Sequence, residues 1–419
     1  MRLKTGFALI ISYGLVAETK SDYGDCGTNS CNQYISDRVC NEDTIGEDSQ
    51  APSDDFYRVG VLRSLSSGPE TDFATMFAWE QALSDGLMSH VTDLDMLWID
   101  SGSGISGGVQ AGLCMRESGV NLVVGPSYSS VAQGASIIGT IYEKNVIGAT
   151  STSPLLSDTD SYSYFSRVIP SDNYQGAMLA EYAVNTQGWT KIATISISSE
   201  AYFEGITNVF AETAVLLGAQ ISEALRKIRA SGVRVVMIAM EPARDALVIA
   251  NATGMLDEGW AWLTTESTIT TLTSNLWGLP EEKLVDMEKL LHGFIGLVPW
   301  MDTEGQTYQD WLSCVDSHYD DTTGMFANLG AMLTAANGNS VEVGKSKAKD
   351  MWYGYYYDAM MLALRALNPL TASERLDKRI ARTVAIIWQH RVNDQSTRGT
   401  RYSGELDILV NVDELRNHN

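Results

Sequence analysis

Basic side chains are scarce in this sequence. Lys and Arg total 29 against 52 Asp and Glu, a formal net charge of −23. That balance argues against a nucleic-acid or acidic-membrane binder, because phosphate recognition rests on Lys and Arg. Proline is rare too, at nine residues, and with 36 Gly this excludes collagen-like and Pro-rich low-complexity chains. Past the N-terminus no apolar run reaches the roughly 18–20 residues of a membrane span. No repeat of solenoid length is present. The remainder, 44% hydrophobic and 19% charged, is the composition of a soluble, acidic, mixed α/β protein.

Residues 1–17 read as a secretory signal. Arg2 and Lys4 supply the charged start, Gly6 to Val16 the apolar stretch and Ala17 a small cleavage residue. The destination expected is the secretory pathway, and from there the extracellular space or cell surface. Residues 18–56 form an acidic, Cys-containing extension with ten acidic and two basic side chains. The five cysteines are Cys26, Cys31, Cys40, Cys114 and Cys314. In an oxidising compartment they predict two disulfides and one odd thiol, with the pairing left open. No His stands near the first three at zinc-ligand spacing, so no metal site is expected.

From Phe56 onward strand and helix signals alternate. Tyr57–Arg63, Asp93–Asp100, Asn121–Val124 and Asn145–Ala149 read as strands. Apolar residues at helical spacing follow each of the first three, as in Phe73 to Leu87, Val109–Glu117 and Ser130–Lys144. After Pro170 the series restarts, with helices at Gln175–Gln187, Phe203–Leu217 and Pro242–Gly254. The strands there are Lys191–Ser196, Val233–Met240 and Trp260–Thr264. The continuously apolar VRVVMIAM suits a sheet covered on both faces. Two βα runs split near residue 170 predict two lobes, each a mainly parallel sheet with helices on both sides. The C-terminal third is mostly helical, including Trp352–Leu367 and Arg375–Gln389, before strand character returns at Gly399–Val412.

Four segments in the middle carry a specific likeness: VVGPSYSSVA, ATSTSPLLSD, FSRVIPSD and GWTKIATI, within residues 121–195. The alignment is free of gaps across Ser129 to Ser157. Weaker matches follow in order: RASGVRVVMIA, GMLDEGWAWLTTES, YGYYYDAMMLALRAL and a late YSGELDI. Together they resemble the receptor-type ligand-binding region of the type 1 periplasmic-binding-protein fold. The likeness is to the ectodomains of class C G protein-coupled receptors, the metabotropic glutamate and GABA type B receptors. The resemblance implies a two-lobed clamp around an amino acid or related small polar ligand, with no catalytic residue and no cofactor. Lobe 1 would comprise 57–169 plus 300–392, and lobe 2 would comprise 170–299 plus 393–415. Carried over position by position, it implies head-group contacts from Ser129 and Ser130 in one loop and Thr150 and Thr152 in the next. Asp172 would lie near the ligand amine, Tyr202 would close from lobe 2, and Glu266 would meet the amine from the same side. The partners implied are a homo- or heterodimer through lobe 1 and a membrane receptor domain signalled by lobe closure. Class C receptors continue into seven spans that are not in this sequence, so a truncated gene sequence, a free ectodomain and a solute-binding role for a transporter all stay open.

The residues support this chemistry independently. Ser129 and Ser130 sit where a strand turns into a helix, and the positive helix end favours a carboxylate there. Small hydroxyls can donate to a carboxylate and accept from an ammonium. Plainer roles exist for each: Ser130 as a helix cap, Thr150 and Thr152 as turn residues, Tyr202 as packing and Asp172 as a hinge hydrogen-bonder. A different class is raised by Gly104 to Gly108, which matches the G-x-S-x-G elbow of serine hydrolases with Ser106 as nucleophile and a downstream His as base. Asn251-Ala252-Thr253 is a glycosylation sequon on an expected helix, where burial would hide it. The tyrosines of WYGYYYDAM read as packing.

Overall fold

A computed structural model describes residues 56–368, apart from 64–69, 88–92, 224–231, 269–290 and short breaks at 103, 198–199, 242, 292–293, 298, 300–301, 325 and 337. The signal sequence, the acidic extension with Cys26, Cys31 and Cys40, the helix expected at Arg375–Gln389 and the strand expected at Gly399–Val412 lie outside the described residues.

β1 (Phe56–Arg63) points Tyr57, Val59 and Val61 to one side and Leu62 to the other, the two-residue period of a strand. It leads through α1 (Glu70–Ser84) to β2 (Asp93–Asp100), α2 (Gly104–Glu117), β3 (Leu122–Val124), α3 (Ser129–Ile141), β4 (Val146–Gly148) and β5 (Phe165–Arg167). These strands form one parallel sheet of order β2-β1-β3-β4-β5. α2 and α3 cover one face, where Leu97, Ile99, Val123 and Val146 meet Ala111, Met115, Ala132 and Ala135. The two helices touch backbone to backbone: a side chain at Gly108 would fall 2.0 Å from the Val131 carbonyl oxygen. Only glycine allows that approach.

The second lobe repeats the scheme. α4 (Asp172–Glu181) runs on through a wide turn at Tyr182–Thr186 to β6 (Lys191–Ser196). Then come α5 (Ala201–Leu216), β7 (Gln220–Glu223), β8 (Val235–Ala239), α6 (Arg244–Ala252), β9 (Ala261–Thr265) and β10 (Phe294–Leu297). All five strands are parallel, in order β10-β9-β8-β6-β7. β8 is buried along its whole length, with Val235, Met237 and Ala239 against α4 and α5 and Val236 and Ile238 against α6. The chain then returns to the first sheet through α7 (Gln306–His318), α8 (Leu329–Ala336), α9 (Val341–Ala348) and α10 (Met351–Leu367). Trp311, Leu333 and Tyr356 on these helices pack with α1 against the face opposite α2 and α3.

Two expectations need correcting. The second helix begins at Gly104 and not at Val109, because Gly104 at φ +67° turns the chain straight from β2 into it. The sequon is not hidden: Asn251 and Ala252 are exposed at the end of α6. Of the cysteines, Cys114 and Cys314 are buried on opposite faces of the first sheet and do not bridge to each other, and Cys314 keeps an unbridged thiol. The tyrosines of α10 do pack, but Tyr356 also bonds the Ser127 hydroxyl and so holds the loop before α3.

Candidate functional site: a cleft with unlike walls

Parallel neighbours β3 and β4 end side by side, and the carboxyl ends of such strands are where α/β sheets take ligands. After β3, Gly125 adopts φ +103°, and a side chain there would strike the Leu62 carbonyl oxygen at 2.2 Å. This glycine lets the chain cross over β1 and enter α3 at Ser129. The following loop is sewn to it. Thr150 Oγ1 donates to the Ser127 carbonyl at 3.2 Å, Ser151 Oγ to the Pro126 carbonyl at 2.6 Å, and Ser129 Oγ accepts from the Ser153 amide at 3.1 Å. Arg167 clamps the far side through the carbonyls of Ser153 and Ser151, at 2.9 and 3.4 Å, and the Ser157 hydroxyl. Burial lowers its pKa to about 10, against the opposing pull of Asp172 and Tyr174.

Of the four expected hydroxyls, Ser129 and Thr150 therefore hold the loops in shape. Ser130 lies buried in the first turn of α3, and neither serine is the helix cap. The cap position is Tyr128, whose side chain makes no capping bond. A helix start without a side-chain cap favours an anion there. Thr152 is buried, and its Oγ1 has no hydrogen-bond partner.

Asp172 opens α4 just behind Ser171, whose hydroxyl caps the helix by accepting from the Asn173 amide at 3.3 Å. The Asp172 amide donates to the Thr152 carbonyl at 2.9 Å, which brings the two side chains to one place. Its Oδ2 lacks a partner; the Thr152 hydroxyl favours the ionised form without completing a hydrogen bond. Burial first, and the charge of Glu266 second, push the Asp172 carboxyl well above its ordinary value. Glu266 follows β9, and burial raises it as well, although the Tyr202 hydroxyl at 2.6 Å from Oε1 and the Gln175 amide on Oε2 favour its charge. Tyr202, half-buried at the start of α5, is itself raised by burial and by Glu266.

The structure thus brings Thr152, Asp172, Tyr202 and Glu266 into one network. Gln175 completes it and was not anticipated. Its Nε2 also donates to the Leu297 carbonyl at 2.6 Å, while its Oε1 is unpartnered. It stands three residues after Asp172 on the same helical face, the one signal that could have found it. The lobes meet beside this network, where Ser153 Oγ donates to the Ala201 carbonyl at 2.9 Å and accepts from the Leu155 amide at 3.3 Å.

Ser106 is placed differently. It is exposed in the first turn of α2. Among the described residues the downstream histidine is His318 on α7, which belongs to the opposite face of the sheet and is engaged by Asp321 at 2.7 Å. Among the described residues a nucleophile and base at hydrogen-bond reach are not assembled there, and His292, His390 and His418 lie outside them.

Two parallel-sheet lobes with a polar network where they meet define a ligand-binding clamp of the type 1 periplasmic-binding-protein kind. The model of the receptor family ligand binding region matches residues 72–404, and the chain belongs to that family. It is 23% identical over 286 residues to metabotropic glutamate receptor-like protein E of Dictyostelium discoideum, covering 62% of this chain and 33% of that protein. It is 25% identical over 185 residues to human metabotropic glutamate receptor 8, covering 42% and 20%. The chain therefore spans a third or less of these relatives. Among solved structures, an ABC transporter substrate-binding protein from Desulfitobacterium hafniense superposes with a TM-score of 0.56 at 17% identity, over 79% of this chain and 89% of that one. An ABC transporter substrate-binding protein of the same organism in complex with Leu gives 0.55, and a leucine-binding protein from Thermotoga maritima gives 0.54 at 15% identity, over 78% and 87%. These relatives are receptors and binding proteins rather than enzymes.

Proposed function

We propose that this protein is an extracellular clamp that holds the head group of an amino acid or close derivative between its lobes. Lobe 1 (57–169 plus 300–392) would take the carboxylate on the Ser130 and Thr152 hydroxyls and the first amides of α3. Lobe 2 (170–299 plus 393–415), with Asp172 at the hinge, would take the ammonium on Asp172, Glu266 and the Tyr202 oxygen. One observation carries this reading: Thr152 Oγ1 and Asp172 Oδ2 are buried side by side and have no hydrogen-bond partner beyond this pair, in a network whose other members are mostly bonded. Buried polar groups are rarely left so without a ligand or water to complete them. A zwitterion supplies both missing partners at once.

Closure on the ligand would signal to a membrane receptor domain, with lobe 1 as the dimer contact. The likeness to transporter-associated binding proteins favours a second reading, a solute-binding protein that delivers its ligand to a transporter. The experiment is a thermal-shift screen of amino acids on the purified chain, followed by calorimetric titration, since a ligand that binds only the folded state stabilises it. A shift with one or more α-amino acids supports the clamp. Ester hydrolysis abolished by Ser106→Ala, with no amino-acid shift, would replace it with the hydrolase.

A further inference from the structure

A separate group of ligand-type side chains lies outside the cleft. Cys314 and His318 are four residues apart on α7 and share a face, and Glu80 of α1 stands opposite them. Cys314 Sγ is 3.9 Å from Glu80 Oε2, and His318 Nε2 is 3.9 Å from Glu80 Oε1. One ligand atom from each of the three lies within 4.8 Å of the others. Behind the ring, His318 Nδ1 is 2.7 Å from Asp321 Oδ2, and the ring stacks on Phe326 at 4.5 Å.

We propose that Glu80, Cys314 and His318 form a site for one zinc-like divalent cation that fastens α7 to α1 on lobe 1, independent of the amino-acid cleft.

Cys314 Sγ makes a long, weak hydrogen bond to Glu80 Oε2 at 3.9 Å, but the 3.9 Å between the His318 ring nitrogen and Glu80 Oε1 is beyond hydrogen-bond reach. A tetrahedral cation with bonds of about 2.0–2.3 Å sets neighbouring ligand atoms roughly 3.3–3.6 Å apart. The 3.9 Å contacts run to the two different Glu80 oxygens, and the three ligand atoms together span up to 4.8 Å, so binding draws them in by about an ångström at most. A thiolate, an imidazole and a carboxylate together suit zinc, whereas calcium and magnesium seek all-oxygen shells. Asp321 provides the outer contact that metal-bound histidines commonly have: an N–H at Nδ1 donated to it leaves the Nε2 lone pair toward Glu80 and Cys314. Glu80 and His318 are half-exposed, with side-chain exposures of 46% and 32%, so an ion can enter and a water can take the fourth position. On binding, the Cys314 thiol gives its proton to solvent and its sulfur pairs with the cation.

The test is titration of the chelator-treated full chain with Co²⁺, whose thiolate charge-transfer band reports sulfur ligation, followed by competition with Zn²⁺. The expected result is one equivalent bound, a band absent from Cys314→Ser, and about one proton released per ion. Asp321→Asn should weaken binding about 10- to 100-fold with the band retained. His318→Ala and Glu80→Gln should weaken it by more. Because other cysteines are present, the reading is the difference from Cys314→Ser. His318 and Glu80 are half-exposed, so their variants keep the test sound if Cys314→Ser folds poorly. A folded wild type without the band, or the same affinity in His318→Ala and Glu80→Gln as in wild type, overturns the proposal.

Discussion

The two walls of the cleft are built on opposite plans. The lobe 1 wall is neutral, made of short hydroxyl side chains and helix-end amides, and backbone carbonyls and Arg167 hold its loops in place. The lobe 2 wall is acidic, made of Glu266, Tyr202 and Gln175 bonded mainly to each other, with Asp172 at the hinge between. The difference is the basis of the proposal that one side takes the anionic end of the ligand and the other, rich in buried carboxyl, its cationic end. Among the described residues, the positive group acting on Asp172 is Arg167, and it is already spent on three lobe 1 oxygens.

The largest effect to break this contrast is expected at the acidic side. Asp172→Ala should weaken binding of the amino acid found by the screen by about 30-fold or more, because losing one partner of a buried charge pair costs about 2–5 kcal/mol. Calorimetric titration checks it. Next, Thr152→Val and Ser130→Ala should each cost about 10- to 150-fold, from roughly 1.5–3 kcal/mol per hydrogen bond to a charged group. Their unliganded melting temperatures should hardly change, since neither hydroxyl makes a bond that the fold needs. Ser129→Ala should behave in the opposite way. It leaves the buried Ser153 amide unpaired, so stability should fall by about 1–3 kcal/mol in urea unfolding with a lesser effect on affinity.

Those predictions also mark how far the sequence was legible. That Thr152 and Asp172 come together could be expected, because two motifs within residues 121–195 place them at strand and helix ends, and the folded chain brings them side by side. The role of Gln175 could not, since its partners Glu266 and Leu297 are 91 and 122 residues away and only the folded chain brings them near. The group of Glu80, Cys314 and His318 escaped for the same reason, with 234 residues between Glu80 and Cys314. β5, β7 and β10 are three or four residues long, too short for a period to show. The start of α2 was missed because its Gly-rich first turn resembles a loop.

A smaller effect concerns pH. Burial raises both carboxyls, so the folded state binds protons there more tightly than the unfolded chain. Their contribution to stability is full below the ordinary carboxyl value of about 4 and is lost as pH rises through the raised values. The unliganded Asp172→Asn variant should therefore lose less melting temperature than wild type as pH rises above the ordinary carboxyl value. Ligand binding runs the other way: an ammonium needs ionised carboxyls, so affinity should fall as pH drops through the same window.

The division of labour between the walls is tested most directly by titrating wild type, Thr152→Val and Asp172→Asn with the amino acid, its des-amino acid and its decarboxylated amine. Asp172→Asn should weaken the amino acid and the amine while leaving the des-amino acid nearly unchanged. Thr152→Val should weaken the amino acid and the des-amino acid while sparing the amine. If both variants lose all three ligands equally, or if neither differs from wild type, the ligand is not held by its two ends on these two walls.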